Sequence, residues 1–246
     1  MNAFRALTAT ELKLFFRERQ QVFWTFLYPL LMIWLFGAIF GRETVYGTTY
    51  SNAYIPSWLG VNLLTISLYT IGTTLANYRE TGVLKRYRAT PLRSWAVLAA
   101  HSVYGLSVFL LSAAVMIAEG RLLFHLSMPR SPGWVLAGFA LSVLALFPFG
   151  LFCASLARTT RASAAISTVV LNVMLLFSGA TFPLFMFPSF LQDVARALPL
   201  YYVVDLLRRA WAHASLGPSA ADVWVLPGIG VAAAALASWL FRRQPA

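Results

Sequence analysis

Six stretches of this chain carry no Asp, Glu, Lys or Arg: residues 22–40, 55–77, 95–118, 134–157, 162–181 and 223–241. At a helical rise of about 1.5 Å per residue, each comes close to or exceeds the ~30 Å hydrocarbon thickness of a bilayer. An uncharged apolar run of that length is the signature of a transmembrane helix. The chain is therefore expected to be an all-α integral membrane protein with six transmembrane helices. Its charged fraction of 11% fits, since soluble chains carry about 25%.

The remaining residues set orientation and exclude several chemistries. A net charge of +11 in a soluble protein would point to nucleic acid. Here the basic residues flank apolar runs, where they fix topology and meet anionic head groups. With the N-terminus inside, the cytoplasmic segments hold four, five, two and two Lys or Arg, against one, two and three outside. The positive-inside rule then places both termini in the cytoplasm. Cys153 is the single cysteine, so no disulfide or cysteine metal cluster forms within one chain. The two lysines, Lys13 and Lys85, do not follow a glycine, so the phosphate-cradling loop of a nucleotide hydrolase is absent. Metalloprotease His spacing is absent as well.

Residues 1–21 mix charge with Phe4, Leu7, Leu14 and Phe15 on one helical arc that Glu11 and Glu18 interrupt. This predicts an amphipathic helix lying along the membrane surface, not a cleaved leader, because the next apolar run is too long and has no small-residue cleavage site. Short polar loops are expected at Arg42–Tyr54 and Glu119–Ser131, and a tight turn at Arg158–Arg161. Residues 182–213 are apolar but broken by Pro183, Pro188 and Pro199, which predicts an outer re-entrant hairpin leading into short surface helices.

Between the second and third runs lies the densest charge: Glu80-Thr81-Gly82-Val83-Leu84-Lys85-Arg86-Tyr87-Arg88-Ala89-Thr90-Pro91-Leu92. This segment resembles the cytosolic loop of type-2 ABC (ATP-binding-cassette) exporter permeases. Three further pieces are similar to that family, in the right order: Phe23-Trp24-Thr25-Phe26-Leu27-Tyr28-Pro29-Leu30, then Ser178-Gly179-Ala180-Thr181-Phe182-Pro183 followed by Pro188. The last is Leu198-Pro199-Leu200-Tyr201-Tyr202-Val203-Val204-Asp205-Leu206-Leu207-Arg208. Residues 94–160 are comparable only in hydropathy.

The resemblance implies a six-span permease subunit, a homodimer with a second copy of itself, seated on two separate ABC ATP-binding subunits. ATP and Mg would be bound by those partners and no cofactor by this chain, in keeping with the missing phosphate loop. The implied setting is a bacterial or archaeal inner membrane. The implied activity is export of an amphipathic drug, antibiotic or lipid-like molecule, with a polysaccharide or lipid-linked glycan as the alternative cargo. A membrane-embedded lipid-modifying enzyme is a remoter alternative, which lacks a clustered acid, base and nucleophile.

On this resemblance residues 78–93 become a cytosolic coupling segment. Glu80, Thr81, Gly82, Leu84, Lys85, Arg86, Tyr87, Arg88, Thr90 and Pro91 would meet the ATPase; by charge alone a solvated basic loop serves equally. Asn62, Thr65, Tyr69 and Thr73 share one face of the second span, and with Phe26 and Asn172 form a candidate substrate path. Hydrogen bonding between helices explains them as well. His101, inside the third span, is expected to be a neutral histidine bonded to a neighbouring helix. Phe182, Pro183, Phe185, Phe187 and Pro188 are the candidate outer gate, or an interfacial aromatic anchor.

Overall fold

The computed structural model describes residues 2–41, 43–45, 47–83, 94–129, 131–212 and 220–243, with side chains described except at 2–7, 20, 45, 94–98, 220, 242 and 243. Among the described residues six helices are long and apolar enough to cross a membrane: Phe23–Phe40, Tyr50–Glu80, Ala99–Phe124, Pro132–Ser155, Thr160–Phe177 and Ala221–Phe241. They are called the first to sixth spans below. The second is the axis of the bundle, with 83% of its apolar window buried against 17–39% for the others. Further helices accompany the spans, among them Asn2–Arg17 against the third span, Ser189–Arg196, and Pro199–Ala212 between the second, fourth and sixth spans.

Several boundaries differ from the sequence expectation. The second span starts at Tyr50, not residue 55, because Tyr50 and Tyr54 are buried and stack 4.5 Å apart. The loop before it contains an antiparallel ladder of Thr44–Val45 with Thr48–Thr49. The third helix continues to Phe124, so Glu119 and Arg121 are helical and not in a loop. Gly120 allows this, because its bare Cα faces the Ile55 side chain and Leu126. The fifth span stops at Phe177, before a turn in which Gly179 takes φ of 81°.

The second of the expected surface helices is a core helix. In Pro199–Ala212, Leu200, Val203, Val204, Leu206 and Leu207 are buried to 1% exposure or less. Gly60 and Gly138 admit it: the Val203 and Leu207 side chains lie within 3.5 Å of where their Cβ atoms would be. Small residues let helices approach closely where no hydrophobic drive separates helix from lipid. At that end Trp211 Nε1 donates to Ser127 O at 2.9 Å, and Asn52 Oδ1 accepts from Ser127 N and Oγ at 3.0 and 2.7 Å. These bonds join the second span, the third–fourth loop and the inserted helix.

Proline shapes the spans through the bonds it removes. Pro29 has no N–H, so the carbonyl of Thr25, four residues earlier, loses its α-helical donor. The backbone widens to a π-helical turn over Phe23–Leu27. Asn62 Nδ2 of the second span donates to Thr25 O at 2.8 Å, and Asn62 Oδ1 accepts from Ser112 Oγ of the third span at 2.6 Å. One fully buried amide thus joins three spans. Replacing it in Asn62→Leu leaves the Thr25 carbonyl without its side-chain donor, which is expected to lower unfolding stability by about 1–3 kcal/mol. Thermal unfolding of the purified chain measures this.

Candidate functional site at the end of the second span

The second span closes with the helical segment Thr74–Glu80, and its last three residues each point to a different part of the bundle. Tyr78 Oη donates to Glu11 Oε1 of the N-terminal helix, and its ring meets His101 of the third span edge-on, centroids 5.4 Å apart. His101 Nε2 lies 3.8 Å from the same Glu11 oxygen. Arg79 donates through Nη2 to the Ala157 carbonyl at 2.5 Å, just past the fourth span, and stacks 5.6 Å from the centroid of Phe241 in the sixth. Glu80 Oε2 accepts from both N and Oγ1 of Thr160, each at 2.6 Å.

The local reasons are plain. Thr160 opens the fifth span, where the first backbone N–H groups have no helical partner and the helix dipole attracts an anion. Glu80 supplies that anion from another helix, while Thr159 caps Ala162 N at 3.2 Å. The second span ends because Gly82 takes φ of 72°, a left-handed closure that lets its N–H reach the Arg79 carbonyl at 3.2 Å. Thr81 caps the same turn, donating N–H and Oγ1 to Asn77 O at 2.9 and 2.8 Å.

Glu11 resolves an oddity of the N-terminal helix. Its 5% exposure and the 1% of Phe15, one turn on, make these two residues the buried face, whereas Leu14 is 47% exposed. Of the expected arc, Phe15 packs inward and Leu14 does not, while the side chains of Phe4 and Leu7 lie outside those described. Phe15 sits 6.1 Å from Tyr104 and 6.2 Å from Phe26, ring to ring. A glutamate in an apolar face needs a donor, and that need was the available signal for Glu11, Tyr78 and His101. Nothing in sequence marked Arg79 or Thr160.

Of the expected coupling residues, Glu80, Thr81 and Gly82 are in this cluster. Leu84, Lys85, Arg86, Tyr87, Arg88, Thr90 and Pro91 lie outside the described residues. The candidate substrate path divides. Asn62 and Thr65 are buried within the bundle, and Thr65 Oγ1 bonds Val61 O of its own helix at 2.9 Å. Tyr69 Oη bonds Thr168 Oγ1 at 2.8 Å, Thr73 bonds the Tyr69 carbonyl, and Asn172 donates to Thr168 O at 2.7 Å. These form a polar patch where the second and fifth spans meet. Phe26 is separate, packed with Phe15 and Phe16.

Among the gate candidates, Pro183 is buried and Phe185 is 64% exposed. Phe182 meets Phe36 edge-on at 6.1 Å, Phe187 lies 6.1 Å from Phe177, and exposed Pro188 precedes the helix Ser189–Arg196. Among the described residues no three His, Cys, Asp or Glu side chains are grouped to hold a metal.

Among the described residues, five apolar helices surround a buried second span whose end is tied to the N-terminal helix and to the third, fifth and sixth spans, which defines a multi-pass membrane protein. The chain belongs to the ABC-2 type transporter family, which it matches over residues 2–211. A relative from Escherichia coli named multidrug ABC transporter permease, YbhR, is 26% identical over 204 residues, covering 78% of this chain and 55% of that protein. A transport permease of Cyanophora paradoxa is 28% identical over 77% of this chain and 67% of its own length. An inner membrane transport permease of Escherichia coli, YhhJ, is 24% identical over 61% and 42%. The chain thus spans about half the length of the Escherichia coli relatives, 55% and 42%.

Proposed function

We propose that this chain is the membrane permease of an ATP-driven exporter that moves an amphipathic molecule out of the cytoplasm. ATP and Mg are bound by a separate ABC ATP-binding subunit, present in two copies beneath a homodimer of this chain, in a bacterial or archaeal inner membrane. The family membership and the names of the relatives support this reading. The observation that carries it is the fan of contacts from Tyr78, Arg79 and Glu80. A push delivered to the segment after Gly82 reaches these three residues first. Through them it reaches the N-terminal helix, the fourth–fifth junction and the sixth span at once. Residues 84–91 form the handle and residues 78–80 the linkage. The Tyr69–Thr168–Asn172 patch offers hydrogen bonds to a cargo's polar end, and the chain's 15% aromatic content suits its apolar part. Phe182–Pro188 is the lid at the opposite end.

Co-expression with an ABC ATP-binding subunit tests this. The two chains are expected to co-purify, and drugs or lipids from a panel to stimulate ATP hydrolysis. A chain that purifies alone and moves its cargo without ATP would overturn the proposal.

A further inference from the structure

Three arginines stand where the second, fourth, fifth and sixth spans meet beside Glu80. Arg79 is half-buried, with Nη2 on the Ala157 carbonyl at 2.5 Å and the guanidinium 5.6 Å from the centroid of Phe241. Its Nη1 is buried and meets no acceptor among the described residues. Arg158 follows Ala157, and Arg161 follows Thr160, whose N–H and hydroxyl hold Glu80. Both of these arginine side chains are exposed. The ion pairs among the described residues involve His101, Arg196, Arg208 and Arg209, and none of these three.

The sequence leaves this corner short of acid. No Asp or Glu occurs in residues 81–118, 120–192 or 223–246. Those ranges cover the connection after the second span, the fourth and fifth spans with their turn, and the end of the sixth. The acids left at this end are Glu80, bound to Thr160, Glu11, bound to Tyr78, and the exposed Glu18. Arg242 and Arg243 follow Phe241 and add further positive charge.

A guanidinium keeps its full charge even when drawn from water, and a cation so placed calls for a compensating anion. The spans end at a membrane surface, and apolar surface adjoins the arginines there. Leu156, one residue before Ala157, is 48% exposed. An occupant with a negative head and an apolar tail meets both conditions, which a soluble anion does not. Arginine pairs well with phosphate oxygens, and basic pockets between spans suit anionic lipid head groups.

We infer that Arg79, Arg158 and Arg161 bind the phosphate of an anionic phospholipid, whose acyl chains run past Leu156 into the bilayer. The lipid joins the end of the second span to the turn between the fourth and fifth. Nothing in the transport reading requires this site, and its test needs neither ATP nor a partner.

A ligand that binds the folded state raises the unfolding midpoint. Phosphatidylglycerol added to the purified chain in a neutral detergent is expected to raise it by several degrees, and phosphatidylcholine or inorganic phosphate by much less. Arg158→Gln combined with Arg161→Gln is expected to keep the lipid-free midpoint and lose most of the shift. Lys13→Gln combined with Arg17→Gln, at equally exposed cations of the N-terminal helix, is expected to retain it. Native mass spectra of the wild-type chain, which need no variant, are expected to keep phosphatidylglycerol bound in preference to phosphatidylcholine. Equal shifts from the two lipids, or equal retention, overturn the inference. So does a full shift from inorganic phosphate, which marks a soluble-anion site, or a shift that survives the loss of Arg158 and Arg161.

Discussion

Gly82→Pro and Glu80→Arg are each expected to lower substrate transport by at least about tenfold, the scale of a lost coupling between two sites, while the chain still reaches the membrane. The two act by different routes on one linkage. Proline holds φ near −65°, whereas Gly82 sits at 72°, so Gly82→Pro redirects the chain as it leaves the second span. It also removes the N–H that closes the helix on Arg79 O at 3.2 Å. Among the described residues beyond its chain neighbours, no atom lies within 4 Å of a Cβ at this position, so the effect argued is one of backbone direction and not of crowding. Glu80→Arg replaces the anion at the start of the fifth span by a cation, facing Arg161 and the positive helix end. Transport assays in inverted vesicles, with immunoblots for membrane content, measure the outcome. Wild-type transport in both variants would remove residues 78–82 from the coupling path.

The largest loss of stability is expected from Gly150→Val and Gly230→Val, each costing about 1–3 kcal/mol or more through overpacking. At Gly150 of the fourth span an added Cβ would lie 2.6 Å from the Ser67 carbonyl carbon of the second, and closer still to the Ser67 oxygens. At Gly230 of the sixth span it would press on the Leu144 carbonyl, with Leu144 C at 3.1 Å and Ala145 Cα at 3.3 Å. Apart from the Ser67 hydroxyl these neighbours are backbone, so no rotamer change relieves the contact. The Leu144 carbonyl also lacks its helical donor, because Pro148 stands four residues on. Glycine is the residue that lets the sixth span close over it. Unfolding midpoints of the purified variants, read by size-exclusion after heating, test this. Wild-type midpoints would show that the second, fourth and sixth spans tolerate separation.

One arrangement was half legible before any coordinates and two were not. Asn62 could be read either as a path residue or as a bond between helices. The structure gives it both partners of the second kind, because Pro29 frees the Thr25 carbonyl beside it. Helix Pro199–Ala212 was expected at the surface, since prolines and charges surround it. It is buried because Asp205 pairs with Arg208 and Arg209 within one turn, which leaves an apolar face for Gly60 and Gly138. His101 and Glu11 stand 90 positions apart, and sequence spacing holds no trace of such a pairing.

The amino-acid order by itself determined six membrane-length helices, the charged segment after the second and the family resemblance. Each rests on local properties: uncharged length against bilayer thickness, basic flanks, and short runs of residue types. Only the tertiary structure decided that Tyr78, Arg79 and Glu80 diverge to different elements of the bundle, and that Glu11 is a buried contact and not a flaw in an amphipathic face. Those choices depend on how helices rotate about their axes and where glycines let them touch. In lipid that rotation is set by close packing and by the need to satisfy every polar group, and neither is recorded in the pattern of any single helix.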